Sequence, residues 1–161
     1  MATETTTTLC GDQLATYARL SERFETTFSD VRGGVEVTFI SGEQVISRLN
    51  EVLGVAGWSF RVLRHDINPE ADEVWALGEL VAEIGDRTVV RQQFGSQKLK
   101  RSRSTGAPLD LGFDLKGAST DAMKKCASLL GVGLYLSRKD PPRPANGRTA
   151  TYMSNASRRP P

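Results

Sequence analysis

The stretch Gly117-Ala-Ser-Thr-Asp-Ala-Met-Lys-Lys-Cys-Ala-Ser-Leu-Leu-Gly-Val-Gly-Leu-Tyr135 decides how this chain is organised. Read at helical spacing, Leu115, Ala118, Ala122, Cys126, Leu129 and Leu130 form one apolar stripe. Lys116, Thr120 and Lys124 fall on another face, with Lys125 beside them. Ser119, Thr120 and Asp121 keep the early turns polar, and Gly131 and Gly133 stop the helix. The spacing predicts a long helix that packs one side into a core and offers Lys124 and Lys125 to something negative. A solvated charged face has the same pattern, so the pair needs support from elsewhere in the chain.

That support lies just upstream. Between Arg87 and Arg103 the charged residues are Arg87, Arg91, Lys98, Lys100, Arg101 and Arg103, with no acid among them. Acids gather instead between Asp66 and Glu83. The formal net charge of +2 therefore conceals a segregated field. A basic segment beside the Lys124–Lys125 helix suits a phosphate backbone, whose binding releases counterions and weakens with salt. Basic residues guarding a strand edge against aggregation would read the same way.

The segment from Trp58 to Phe94 reads as a meander. Trp58, Phe60 and Val62 alternate with Ser59 and Arg61 in a strand ending near Arg64. Asn68-Pro69 starts a turn, Val74 to Ile84 forms the next strand, and Gly85-Asp86 signals a hairpin into Thr88 to Phe94. Connections this short require antiparallel pairing. Gly95 to Gly112 has no apolar period and reads as a basic loop. Further upstream, Ser41 and Gln44 fit a capping box for a helix with Val45, Ile46, Leu49, Val52 and Leu53 inward, closed by Gly54. Gly33-Gly34 breaks the pattern before a short strand from Val35 to Phe39. Leu14 to Phe24 reads as a first helix, capped by Asp12, with Leu14, Tyr17, Ala18 and Phe24 inward.

The expected fold class is α+β: an antiparallel β-β-β-α core with one long helix packed on the sheet. Residues 1–11 are expected to be a disordered arm, residues 12–139 the folded domain, and residues 140–161 a disordered Pro/Arg-rich tail.

Composition narrows the function. The chain has 161 residues, 39% hydrophobic and 25% charged, enough for one domain with a real core. Cys10 and Cys126 stand far apart, and with the single His65 they lack metal-ligand spacing. Reduced thiols in a cytosolic-type compartment follow from that usage. No apolar run is long enough to span a bilayer, and the N-terminus has no signal-peptide layout. No Gly-rich phosphate loop ending in Gly-Lys-Ser/Thr is present, so no NTP hydrolysis and no cofactor are expected. His65 and the Asp110–Asp114 pair lack catalytic partners, so the chain does not read as an enzyme. Trp58, Phe60, Trp75 and Phe94 could stack on bases, but their alternating strands favour core packing.

Several of these features stand in a familiar order. Gly42-Glu43-Gln44-Val45-Ile46 leads through Leu49-Asn50-Glu51 and Leu53-Gly54 to Gly57-Trp58, then to Phe94-Gly95, Thr120-Asp121-Ala122-Met123-Lys124-Lys125 and Leu130-Gly131. Over about residues 37 to 138 the chain resembles the DNA-binding domain of the Rad-fifty-two single-strand annealing family. It is closer to the compact bacterial and phage versions, including the "DNA damage response A" type. The resemblance implies a homo-oligomeric ring or open helical arc, with single-stranded DNA in a positive groove and its bases exposed for ATP-independent annealing. It implies DNA-backbone contacts for Lys124 and Lys125. Gln44 and Ser128 stand where family members commonly carry basic residues, and Lys98, Lys100, Arg101, Arg103 and Arg91 are inferred to supply part of the groove. Those two departures motivate an alternative, protection of single-stranded ends without annealing. Single-stranded DNA and further copies of the chain are thus the expected partners, with a single-strand binding protein or a recombinase as further candidates. No membrane partner is expected, and the expected location is cytoplasmic and nucleoid-associated. Recombinase loading, which in eukaryotic members rests on a long C-terminal region, is not carried over.

Overall fold

In the computed structural model, which describes residues 4–137, the chain runs α1 (Glu4–Leu20), β1 (Phe28–Arg32), β2 (Val35–Phe39), α2 (Gly42–Leu53), β3 (Trp58–Asn68), β4 (Glu73–Ile84), β5 (Arg87–Lys98), α3 (Leu111–Ser128) and a short 3-10 helix (Leu134–Ser137). The expected α+β arrangement is present, with two antiparallel sheets: a β1–β2 ribbon and a β3–β4–β5 meander. The expected Pro/Arg-rich tail lies outside the described residues, as do residues 1–3 of the expected arm.

The meander is held by pairing from Trp58↔Ala82 to Asn68↔Glu73 on one side of β4, and from Glu73↔Lys98 to Ile84↔Arg87 on the other. A register shift between Val62 and Arg64 leaves Leu63 without a ladder partner. Gly85, at φ +64, makes the tight β4–β5 turn. On one face of β4, Val74, Ala76, Leu80 and Ala82 are fully buried beneath α3. The helix answers with Ala118, Ala122 and Cys126, also fully buried. Small residues bring the helix backbone close to the sheet. A Cβ at Gly95 would collide with the backbone of Ala118 and Ala122, so the position admits only glycine. Gly95 does not start a loop as expected. It belongs to β5, which continues to Lys98, and the irregular connection shrinks to residues 99–110.

α2 follows local signals closely. Ser41 accepts the Gln44 amide at 3.2 Å while Gln44 Oε1 accepts the Ser41 amide at 2.8 Å. Gly54, at φ +80, donates its amide to Asn50 O at 3.0 Å and ends the helix. Val45 and Leu49 enter the main core with Leu20, Leu80, Cys126 and Leu130, and Val52 and Leu53 pack against it, but Ile46, expected inward, is exposed. Each fully buried Leu there contributes about 2 kcal/mol of apolar transfer.

Three further expectations need correction. α1 spans Glu4–Leu20, so Asp12 lies inside the helix, residues 4–11 of the expected arm are helical, and Phe24 falls beyond the end. Leu14, Tyr17 and Ala18 are exposed, and the helix instead buries Leu20. Its C-terminal end is clamped by Arg48, whose Nη1 donates to Arg19 O at 3.1 Å and Glu22 O at 2.7 Å. Second, Gly33-Gly34 is a hairpin turn rather than a break: both have positive φ, and β1 precedes them. Third, Leu129 follows the helix end and is exposed, while Leu130 is buried.

Candidate nucleic-acid interface

The outer side of α3 begins with its cap. Asp110 accepts the Phe113 amide at 2.9 Å, which fixes the first turn. From there Phe113, Lys116, Thr120 and Lys124 recur at the intervals that keep residues on one helical face. Phe113 is 53% exposed, Lys116 is exposed and Lys124 is half-buried.

Neighbouring elements hold each end of this row. At the N-terminal end, Lys100 places its Nζ 4.8 Å from the Phe113 ring centroid. The Lys100 amide donates to Asp114 Oδ2 at 3.2 Å, and Asp114 is fully buried, which anchors the loop to α3. At the other end, Lys124 Nζ lies 5.5 Å from the Phe39 ring centroid at the end of β2. Phe39 stacks on Phe28 with centroids 5.9 Å apart. Between them the N-terminus of α2 abuts α3: a Cβ at Gly42 would strike Thr120 Cγ2. Glu43, in the first turn of α2, is held below the usual carboxylate range. Its own backbone amide and the Ser41 hydroxyl are the main causes, with the positive charges of Lys116 and Lys124 adding to them.

The other residues singled out from sequence are more dispersed. Lys125 sits around the helix from Lys124 and pairs with Asp121 at 2.9 Å. Asp121 also accepts the Ser96 amide at 3.0 Å, so this flank of α3 is fastened to β5. Lys98 donates to Ala71 O at 2.8 Å and lies 3.8 Å from Glu73. Arg101 pairs with Asp72 at 2.6 Å and donates to Gly106 O at 2.9 Å, tying the loop to the β3–β4 turn. Arg103 is exposed in a turn of that loop. Arg91 stands apart: it lines a cavity of about 300 Å³ with Arg87, Tyr17, Leu20 and Leu130. The structure thus brings Lys100 and Lys124 to the two ends of one row. It leaves Lys125 on an adjoining flank and engages Lys98 and Arg101 with acids. A solvent-exposed ion pair costs little to open, so these cations remain able to exchange a carboxylate for a phosphate.

The two positions that the resemblance sets apart, Gln44 and Ser128, have structural duties. Gln44 closes the α2 capping box and donates to Thr26 O at 2.8 Å. Ser128 donates to Lys125 O at 2.8 Å. Aromatic residues at the row, Phe113, Phe39 and Phe28, were not picked out from sequence. Phe113 was legible in principle, because it shares the helical phase of Lys116 and Lys124. The strand rings Trp58, Phe60, Trp75 and Phe94 behave differently from one another. Trp58 and Phe60 pack against the core, but Phe94 is 57% exposed and meets Trp75 edge-on at 5.7 Å, on the sheet face away from α3.

His65 is exposed on β3, Asp110 is a helix cap and Asp114 fastens a loop. Among the described residues no three His, Cys, Asp or Glu side chains come together to hold a metal ion. Cys126 is buried, its Sγ donates to Gly78 O at 3.5 Å, and burial pushes its thiol pKa up, all consistent with a structural thiol. Among the described residues no helix is long and apolar enough to cross a membrane.

No curated protein matches the chain. A protein-family model does: residues 15–145, well over half of the sequence, match the model described as "Rad52/22 family double-strand break repair protein". That span takes in every element from the last third of α1 to the 3-10 helix, together with the lysine row on α3, and the chain belongs to the Rad52/22 family of double-strand break repair proteins.

Proposed function

We propose that this protein binds single-stranded DNA and anneals complementary strands during recombinational repair, without ATP and as a homo-oligomer. The observation that carries the reading is the row Lys100, Lys116 and Lys124 along the outer side of α3, in a chain of the Rad52/22 family. Its work is electrostatic alignment: ammonium groups hold phosphates, and no covalent step is needed. Repetition of the row around a ring or arc would join short segments into one track, with Lys125, Lys98, Arg101 and Arg103 contributing at the flanks.

A salt titration tests it. The triple variant Lys100→Ala, Lys116→Ala, Lys124→Ala should lower affinity for an oligo-dT strand. The slope of log affinity against log salt should become shallower by about 2, since each lost phosphate contact removes about 0.7. An unchanged slope sinks the assignment. Annealing is read separately, from the rate at which two labelled complementary oligonucleotides pair in the protein's presence. Size-exclusion chromatography with light scattering reads the assembly.

A specific observation supports an alternative, end protection without annealing. Gln44 and Ser128 are both committed to local hydrogen bonds where the family commonly carries cations. Full binding with no acceleration of pairing would select it.

A further inference from the structure

We infer that the chain holds single-stranded DNA by its bases as well as by its phosphates, with Phe113 and Phe28 as the stacking platforms. The inference rests on the single-stranded DNA reading above and adds a second kind of contact to it.

Three observations converge. First, Phe113 and Phe28 are 53% and 47% exposed, so a large part of each side chain is open to solvent. Second, each belongs to an aromatic–lysine group. Lys100 lies over Phe113, and Lys124 lies over Phe39, which stacks on Phe28. A nucleotide presents an anion and a flat π-surface a few ångströms apart. A lysine beside a phenyl ring offers a partner for each. Third, the two groups stand at opposite ends of one helix face. Phe113 and Lys124 are separated by about 16 Å of helix axis, roughly the length of five nucleotides at stacked spacing.

Phenylalanine suits this task. It has no hydrogen-bonding group with which to prefer one base, so the contact tolerates any sequence. Stacking also occupies the face of a base and leaves its pairing edge free. A strand held in this way can still be read by its complement. Phe94 differs in place: it lies on the sheet face turned away from α3, remote from the lysine row.

The experiment compares Phe113→Leu and Phe28→Leu with the wild-type full chain. Leucine keeps apolar bulk and removes the π-face, so thermal unfolding should be nearly unchanged. Affinity for an oligo-dT strand should fall about tenfold per ring, with the salt slope unaltered. On an oligonucleotide of the same length built of abasic sites, wild type and variants should bind alike. Leucine variants that bind oligo-dT like the wild type would overturn the inference and leave the lysine row standing. A loss that is equal on the abasic strand would overturn it too, since the rings would then act through the phosphate contacts. Failure of the wild type to bind either strand removes the inference together with the function on which it rests.

Discussion

The inner side of α3 meets β4 and β5 through Ala118, Ala122 and Cys126, all fully buried, while its outer side carries Phe113, Lys116, Thr120 and Lys124 in or near solvent. The inner side is fitted: Gly95 and Gly78 leave no room for a methyl group, and the nearest atoms at Gly95 are backbone. The outer side is tethered but open, with cations over rings and a helix N-terminus alongside. One helix therefore shows that close packing and ligand contact make opposite demands. Packing needs small, mutually fixed atoms, and recognition of a long polyanion needs long side chains that can still move.

This contrast predicts a graded series of effects. Gly95→Ala should be the most damaging, lowering stability by about 4 kcal/mol or more, because neither helix backbone nor strand can yield. A denaturant titration measures it, and a loss below about 1 kcal/mol would mean that the inner face is looser than its geometry. Leu80→Ala, which opens a cavity in the same interface, should cost about 3 kcal/mol in that assay. Ser41→Ala removes one half of the α2 capping box and should cost about 1 kcal/mol.

A pH effect follows on the sheet face opposite α3. Glu79 lies below the usual carboxylate range because it accepts from Gln92 at 2.6 Å and from Arg61 at 2.8 Å. A carboxyl depressed in the folded state stabilises fully above its unfolded pKa. That contribution is lost as pH falls through the folded value. Thermal unfolding of the wild type should therefore weaken below about pH 5 more steeply than that of Glu79→Gln. Parallel curves would deny the carboxylate this role. The smallest change in stability, within about 0.5 kcal/mol, is expected for Lys124→Ala. That substitution should instead show in DNA affinity and salt slope, and a large stability loss would place Lys124 among the packing residues.

Legibility from sequence tracked the range of the interaction. The α2 helix was readable from Ser41 to Gly54 because its signals lie within a few residues of each other. The meander was readable because alternation and Gly85-Asp86 are local as well. β1 was not, since Phe28-Ser-Asp-Val-Arg lacks a two-residue period and becomes a strand only by pairing with β2. The start of α1 was hidden by four consecutive threonines, which are weak helix formers.

The site divides in the same way. The presence of cations at Lys98, Lys100, Arg101, Lys124 and Lys125 is a fact of sequence. Their state is not: Arg101 meets Asp72 across 29 positions, and Lys124 meets Phe39 across a still longer separation. Phe94 was expected in the core because alternation assigns a residue to a face, but it does not say which face a helix will cover.

What the sequence by itself determined was the α2 helix, the antiparallel meander and the helical phase of the lysines, because these depend on neighbours a few residues away. Only the tertiary structure decided which cations are engaged by acids, which rings stay exposed, and that Lys100 and Lys124 close the two ends of one row. Those outcomes depend on contacts between segments far apart in the chain, and the spacing of residues along the backbone carries no record of such contacts.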